Sequence, residues 1–66
     1  MQISLNGEAR QVADGSTVAD LLRELKLEAA RVAVERNRVI VPGRARAAER
    51  LAEGDRLEIV TFVGGG

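Results

Sequence analysis

The sequence predicts an α+β domain in which one main helix packs across one face of a mixed sheet of four to five strands. Two observations predict this fold class. Segments with the two-residue alternation of strands lie at both ends of the chain, and a single segment with helical spacing lies between them. The resulting order is strand, strand, helix, strand, strand, connection, strand, which is typical of the β-grasp (ubiquitin-like) fold. We assign residues 1–63 to this domain and residues 64–66 to a flexible glycine tail.

The first twelve residues, MQISLNGEARQV, have the pattern of a β-hairpin. Met1, Ile3 and Leu5 alternate with polar residues, which is typical of a strand with one buried face. Asn6 and Gly7 then form the dipeptide that most readily adopts a type I′ turn, the turn that joins two antiparallel strands tightly. We therefore expect two short strands on either side of this turn.

The next segment, ADGSTVADLLRELKL, changes to helical spacing. Apolar residues recur at i, i+3, i+4 and i+7 and form one helix face: Val18, Leu21, Leu22 and Leu25. Thr17 and Asp20 have the spacing of a capping box, in which each side chain bonds the other residue's backbone amide at the helix start. We expect this apolar face to pack on the sheet face that carries Ile3, Leu5, Val32, Val34, Leu57 and Ile59.

Acidic residues four apart, Asp20, Glu24 and Glu28, are expected to form a stripe along the helix side that faces away from the core. A solvated face is the favoured interpretation of this stripe, and a docking surface for a basic partner is the alternative.

In the second half of the chain, RVAVERNRVIV predicts a strand around Val32 and Val34, a turn near Asn37 and a second short strand from Val39 to Val41. Pro42 ends this strand because proline lacks the amide that a sheet ladder needs. The segment RARAAERLAEG predicts a short connection that brings Leu51 into the core.

Gly54 and Asp55 predict a turn into the last strand, RLEIVTFV. Leu57, Ile59 and Thr61 should lie on one face and become buried, while the opposite face is unusually apolar. Its residues Val60 and Phe62, together with Val63, predict a partner-binding surface at the root of the tail. The alternative is that these side chains pack under loop residues.

Arginines are concentrated in the middle of the chain, at positions 36, 38, 44, 46 and 50. This concentration has two interpretations, a patch for an acidic partner or phosphate and a solvated segment, and we favour the second. Ten acidic residues balance the ten basic ones, and Phe62 is the only aromatic residue. Both facts argue against a nucleic-acid binder, which needs excess positive charge and aromatic stacking.

The composition also limits the possible chemistry. The chain contains no Cys and no His, so thiolate catalysis, disulfides and the usual zinc sites are excluded. Ser4 and Ser16 lack the imidazole that would activate a hydroxyl. We therefore predict no catalytic residue, no metal site and no cofactor bound by this chain. No run approaches the roughly 20 apolar residues of a membrane helix, and the first ten residues do not resemble a signal peptide, so we expect a cytoplasmic protein.

The quoted segments together resemble a known family. MQISLNGEARQVADGSTVADLLREL, Asn37 with VIVP, LAEGDRLEIV and the glycine end are similar, in this order, to the thiamine-biosynthesis sulfur carriers of the ThiS type. The resemblance extends over essentially the full length. It implies a carrier whose Gly66 carboxylate is adenylated by a partner (E1-like, ThiF type) with ATP and Mg²⁺, then converted to a thiocarboxylate with sulfur from a partner persulfide. Thiazole synthase (ThiG type) would use that sulfur for the thiazole ring of thiamine.

The residues are consistent with such a role. A chain without Cys offers only Met1 and its acid groups for carrying sulfur, and a thioether cannot be loaded and discharged. The acid group with the longest reach is the carboxylate of Gly66, at the end of a tail, Gly64, Gly65 and Gly66, that we expect to enter a partner's active site. Two alternatives stay open: a sulfur carrier for molybdopterin or another pathway, and a β-grasp interaction module without covalent chemistry.

Overall fold

The computed structural model describes residues 1–62, and the predicted partner-surface residue Val63 and the tail residues 64–66 lie outside that part. Five strands and one α-helix follow one another in the predicted order. They are β1 (Gln2–Leu5), β2 (Glu8–Gln11), α1 (Val18–Glu24), β3 (Val32–Arg36), β4 (Val39–Ile40) and β5 (Arg56–Thr61), with single 3₁₀ turns at Ala29–Arg31 and Gly43–Ala45.

The strands form one sheet in the order β2-β1-β5-β3-β4. The two strands β1 and β5 are parallel, with Leu5 opposite Leu57, while the other pairs are antiparallel. A parallel pair requires a long crossover connection, which here includes α1, β3 and β4. The predicted mixed sheet is therefore confirmed, and β5 is its central strand.

Both hairpins turn through two residues in the left-handed region. Asn6 and Gly7 have φ values of 49° and 87°, and Asn37 and Arg38 have φ values of 51° and 70°. Positive φ at both central positions is the requirement of a type I′ turn. The hairpin prediction at Asn6 is confirmed, as is the turn near Asn37.

The helix begins at the predicted capping box. The amide of Asp20 donates to Thr17 Oγ1 over 3.1 Å, and the amide of Thr17 donates to Asp20 Oδ2 over 2.9 Å. The helix ends at Glu24, and Lys26 follows in the left-handed region with φ 60°.

The early helix end corrects the prediction of a three-carboxylate stripe, because Glu28 lies outside α1. Each of the three carboxylates instead has an arginine beside it. The ion pairs join Asp20 to Arg23 over 3.0 Å, Glu24 to Arg10 over 3.1 Å and Glu28 to Arg31 over 3.2 Å. Glu24 and Glu28 are exposed and Asp20 is half-buried, so these carboxylates contact solvent as the solvated-face interpretation expects. Their pairing with arginines of this chain was not predicted.

The core lies between α1 and one face of the sheet. Its buried side chains are Ile3, Val12, Val18, Leu21, Leu22, Val32, Val34, Val41, Leu51, Leu57 and Ile59. Leu5 and Leu25 are only partly buried and pack against this cluster. Thr61 is exposed, which corrects its predicted burial, because it lies at the last position of β5 where the sheet face is no longer covered.

Two of the clustered arginines have structural roles, so the solvated-segment interpretation is wrong for them. Arg46 is buried, and its guanidinium donates to the carbonyls of Ala29 over 2.7 Å and Val32 over 2.9 Å. Arg36 pairs with Glu49 over 2.8 Å. Hydrogen bonds to charged groups are about twice as strong as neutral ones, so Arg46 fastens the segment after β4 to the start of β3. The other three, at positions 38, 44 and 50, are exposed.

Candidate functional site

The last strand positions the candidate site. β5 lies between β1 and β3, and its pairing with β3 continues to its final residue, where Thr61 lies opposite Val32. Beyond the strand, the amide of Phe62 donates to the carbonyl of Arg31 over 2.7 Å. The backbone is therefore held by the sheet as far as Phe62, two positions before the first residue of the predicted tail.

Two large apolar side chains lie on the sheet face opposite the helix, at this end of β5. Val60 is 60% exposed and Phe62 is 56% exposed. The half-buried Ala33 of β3 lies directly opposite Val60. The alternative that Val60 and Phe62 pack under loop residues is therefore wrong. We call Ala33, Val60 and Phe62 the apolar patch. Its role in binding a partner stays a prediction.

Further along β5 the same outer face becomes charged. Glu58 and Arg56 alternate with the buried Leu57 and Ile59, so they point away from the helix like Val60. Glu58 lies directly opposite Glu35 of β3, and like charges in such a pair repel each other. Starting from the tail end, the outer face of β5 therefore carries the apolar Val60, then the acidic Glu58 and then the basic Arg56.

The predicted tail residues Gly64, Gly65 and Gly66 lie outside the described part of the chain, as does Val63. Within residues 1–62, no group of three or more His, Cys, Asp or Glu side chains is arranged to hold a metal ion. None of the helices in that range has the length and apolar character that crossing a membrane requires.

Two polar contacts that hold β5 in place were not predicted from the sequence. The side chain of Asn6 continues the β1–β5 pairing, because its Oδ1 accepts from the amide of Ile59 over 2.9 Å and its Nδ2 donates to the same residue's carbonyl over 3.1 Å. At the other end, the buried Asp55 accepts from Arg36 Nε over 2.8 Å and from Asn37 Nδ2 over 3.1 Å. The local signal for these contacts is limited to Asn6 and Asn37 themselves, because asparagine is one of the few residues that often adopt φ > 0 in a turn.

Asp55 is held in its ionised form. Burial raises the pKa of its carboxyl group, but hydrogen bonds from the Ala52 amide, Asn37 and Arg36, together with the charge of Arg36, outweigh burial and lower the pKa below the ordinary value. A carboxylate with a lowered folded-state pKa stabilises the fold above its unfolded-state pKa, about 3.9 for Asp, and this contribution is lost as the pH falls through the folded-state value.

We therefore expect the free energy of unfolding to decrease when the pH is lowered below about 4. Protonation of Asp55 is one cause of this decrease. The substitution Asp55→Asn should lower stability at pH 7 and flatten this acid-side decline, because Asn does not titrate. Urea unfolding of both proteins between neutral and acidic pH measures the effect. Parallel pH profiles for the two proteins would contradict the assignment. The decline should not vanish entirely, because hydrogen bonds from Thr17 also lower the pKa of Asp20.

The family is shown by the match to a family model. The model of the ThiS family matches residues 3–66, almost the whole chain. The chain belongs to the ThiS family. The fold agrees with this assignment, since the crystal structure of the thiamine biosynthesis protein ThiS from Geobacter metallireducens superimposes with a TM-score of 0.85. That protein is 35% identical, and the match covers 100% of both chains.

Two curated relatives of this ThiS-family chain differ strongly in length. The sulfur carrier protein ThiS of Bacillus subtilis is 44% identical, and the match covers 97% of this chain and 98% of that protein. A thiazole synthase of Paramagnetospirillum magneticum is 47% identical over 66 residues, which is 100% of this chain but only 20% of that protein. The chain thus spans about one fifth of the length of the thiazole synthase and nearly the full length of the sulfur carrier.

Proposed function

We propose that this chain is a sulfur carrier of thiamine biosynthesis and that the carboxylate of Gly66 is the group that carries the sulfur. The observation that supports this most directly is the similarity to a sulfur carrier over 98% of that carrier's length. The chain acts as a co-substrate of partner enzymes, and is not itself a catalyst. Since adenylation consumes ATP, we place this exchange in the cytoplasm.

The chemistry follows from the weak electrophilicity of a carboxylate, which is ionised at neutral pH. An adenylating partner of the ThiF type, using its own ATP and Mg²⁺, joins the Gly66 carboxylate to the α-phosphate of ATP and releases pyrophosphate. The outer sulfur of a partner persulfide then displaces AMP and forms an acyl disulfide with Gly66. A second thiol of the partner attacks this disulfide, which releases the thiocarboxylate and leaves a disulfide in the partner. Thiazole synthase takes the sulfur from it.

The described residues support this role because they fix the starting point of the tail. The hydrogen bond from Phe62 to Arg31 holds the chain to the sheet. Four further residues, if extended at about 3.3 to 3.6 Å each, reach roughly 13 Å from that point. Glycines at the end of this reach have no Cβ, so they can pass a narrow channel and adopt backbone conformations closed to other residues.

The longer relative supports thiazole synthase as a partner. In the Paramagnetospirillum magneticum protein, a region similar to this whole chain occurs inside a polypeptide that is named thiazole synthase. Covalent linkage raises the effective concentration of one binding partner at the other. Linkage of this kind favours two regions that bind or react with each other. We therefore infer that the present chain binds a separate thiazole synthase.

Intact-mass measurement tests the proposed function. The chain is incubated with the adenylating enzyme, ATP, Mg²⁺ and a sulfur donor, and the expected product has one oxygen replaced by sulfur. The product is then supplied separately to thiazole synthase and to the large subunit of molybdopterin synthase. Sulfur transfer to thiazole synthase supports the proposal, transfer only to the molybdopterin enzyme identifies the sister pathway, and an unchanged mass means a β-grasp module without covalent chemistry.

The apolar patch yields a separate prediction about affinity for the adenylating enzyme. Removing a large aromatic side chain from the centre of an interface often weakens binding about tenfold or more. We expect Phe62→Ala to do so while stability changes by no more than about 0.5 kcal/mol, because Phe62 is exposed in the free protein. Isothermal titration calorimetry measures the affinity and thermal unfolding the stability.

The matched control is Val39→Ala, which removes a side chain that is 66% exposed at the sheet edge. Val39 lies opposite Arg36, whereas the outward Glu35 lies opposite Ile40, so Val39 is not part of the outer face. Its removal should leave the affinity unchanged. If Phe62→Ala unfolds the domain but binds normally per folded molecule, the residue belongs to the fold and the patch has no role in docking.

A further inference from the structure

The turn between β3 and β4 contains an arginine in a backbone conformation that suits glycine. The two type I′ turns of this protein differ at their second central residue, which is Gly7 in the first turn and Arg38 in the second. Arg38 has φ 70°, a region that is costly for a residue with a Cβ and free for glycine. Strain retained at such a position points to a function of the side chain.

The side chain of Arg38 borders a cleft that contains a second arginine. Arg38, Arg56, Asn37 and Gly54 line this cleft, which is open to the surface and has a volume of about 250 Å³. Within residues 1–62 neither Arg38 nor Arg56 forms an ion pair, whereas four other arginines do: Arg10, Arg23, Arg31 and Arg36. Two positive charges therefore border one cleft without a carboxylate of the described chain between them.

The floor of the cleft is rigid. The amide of Arg56 donates to Asn37 Oδ1 over 2.9 Å, and the amide of Asn37 donates to the carbonyl of Arg56 over 2.7 Å. Asn37 Nδ2 is fixed on Asp55 over 3.1 Å. These bonds fix the turn against the start of β5, so both arginines project from backbone whose position is already set. Preorganisation of this kind reduces the entropy lost on binding.

Two carboxylates that precede Arg56 in the sequence already have partners elsewhere. Asp55 is buried and already accepts hydrogen bonds from Arg36, Asn37 and the amide of Ala52. Glu53 accepts from the backbone amide of Gln2 over 3.0 Å, which directs it towards β1. Glu58 and Glu35 lie beside Arg56 on the outer face, but neither forms an ion pair with Arg38 or Arg56 within residues 1–62. The positive charge of both arginines is therefore available to a group from outside the described chain.

We propose that this cleft binds carboxylates of an acidic segment of a partner protein. Guanidinium groups are planar and match the two oxygens of a carboxylate, which gives charge-assisted pairs with defined geometry. A nucleic acid does not fit, because the chain has no net positive charge and no aromatic residue near the cleft.

The cleft lies at the opposite end of β5 from the tail. From Arg56 to Thr61 the strand advances five residues, or about 17 Å at roughly 3.3 Å per residue. We expect a partner that covers the outer face from Val60 to Arg56 to contact the cleft at Arg56 as well. The binding itself does not depend on the chemistry at Gly66, so failure of the sulfur-carrier proposal would leave this inference standing.

Titration of the ¹⁵N-labelled protein with acetylated pentaglutamate amide tests the proposal. We expect saturable shifts of the backbone amides of Arg38, Gly54 and Arg56 in low salt. Arg38→Gly and Arg56→Gln should each weaken binding about fivefold or more, the effect of losing one hydrogen bond to a charged group. Arg38→Gly should not lower the melting temperature, because glycine relieves the strain of the turn, whereas a purely structural role for Arg38 predicts a lower one.

The control variant is Arg44→Gln, which removes one positive charge from an exposed residue outside the cleft. It should leave the affinity for the peptide unchanged. Equal weakening by Arg44→Gln, or shifts spread over the whole surface, would show unspecific charge attraction and overturn the proposal. A parallel titration with inorganic phosphate distinguishes the source of the anion: saturation of the cleft by phosphate but not by the peptide also overturns it.

Discussion

Adding one alanine after Gly66 should abolish sulfur loading of this chain without changing its stability. The proposed chemistry depends on one carboxylate at the end of a narrow tail, and the added residue moves that carboxylate outward by about 3.3 to 3.6 Å. Displacements of even about 1 Å can reduce a reaction rate a hundredfold. The methyl group of alanine also enters a channel that is proposed to fit glycine.

Intact-mass measurement tests this expectation. The extended chain is incubated with ATP, Mg²⁺, a sulfur donor and the adenylating enzyme, and its mass shows whether sulfur has been loaded. Thermal unfolding serves as the control, since the buried core cluster of the described residues extends from Ile3 to Ile59 and the added alanine follows Gly66. Deleting Gly66 is a milder test, because a Gly-Gly end remains and part of the activity should survive. Normal loading of the extended chain, without removal of the alanine, would rule out the mechanism at the terminal carboxylate.

Most of the fold could be predicted because its signals are local in the sequence. The Asn6-Gly7 turn and the capping box of Thr17 and Asp20 each depend on residues no more than three positions apart. The outer face of β5 was equally accessible, since strict alternation decides which side of a strand faces the core. The exposure of Val60 and Phe62 follows from that alternation.

The errors arose where distant residues decide the outcome. Arg46 appears as one more polar residue in an arginine-rich segment, yet its carbonyl partner at Ala29 is 17 positions away. Two of the hydrogen bonds to Asp55 likewise come from distant residues, since Arg36 is 19 positions and Asn37 is 18 positions earlier in the chain. No spacing rule in the sequence reports such contacts, because they form only when the sheet order β2-β1-β5-β3-β4 is complete.

The second large effect concerns the packing of α1, which has only seven residues. An isolated helix of that length is unstable in water, so its stability comes from burying one apolar face. Leu22 lies on this face with 3% of its surface exposed, and it belongs to the same cluster as Leu57 and Ile59 of the central strand. Removing its side chain weakens the contact that joins helix and sheet.

We expect Leu22→Ala to lower the free energy of unfolding by about 2 to 5 kcal/mol, which is the usual range when a buried leucine is replaced by alanine and a cavity remains. The whole free energy of unfolding of a typical domain is only about 5 to 15 kcal/mol. The variant should therefore begin to unfold at a lower denaturant concentration. Val39→Ala, which shortens an exposed apolar residue, should change stability by less than about 1 kcal/mol. An unchanged denaturant midpoint in Leu22→Ala would contradict the packing of α1 on the sheet. A leucine that contributes nothing to the free energy of unfolding cannot hold so short a helix against the sheet.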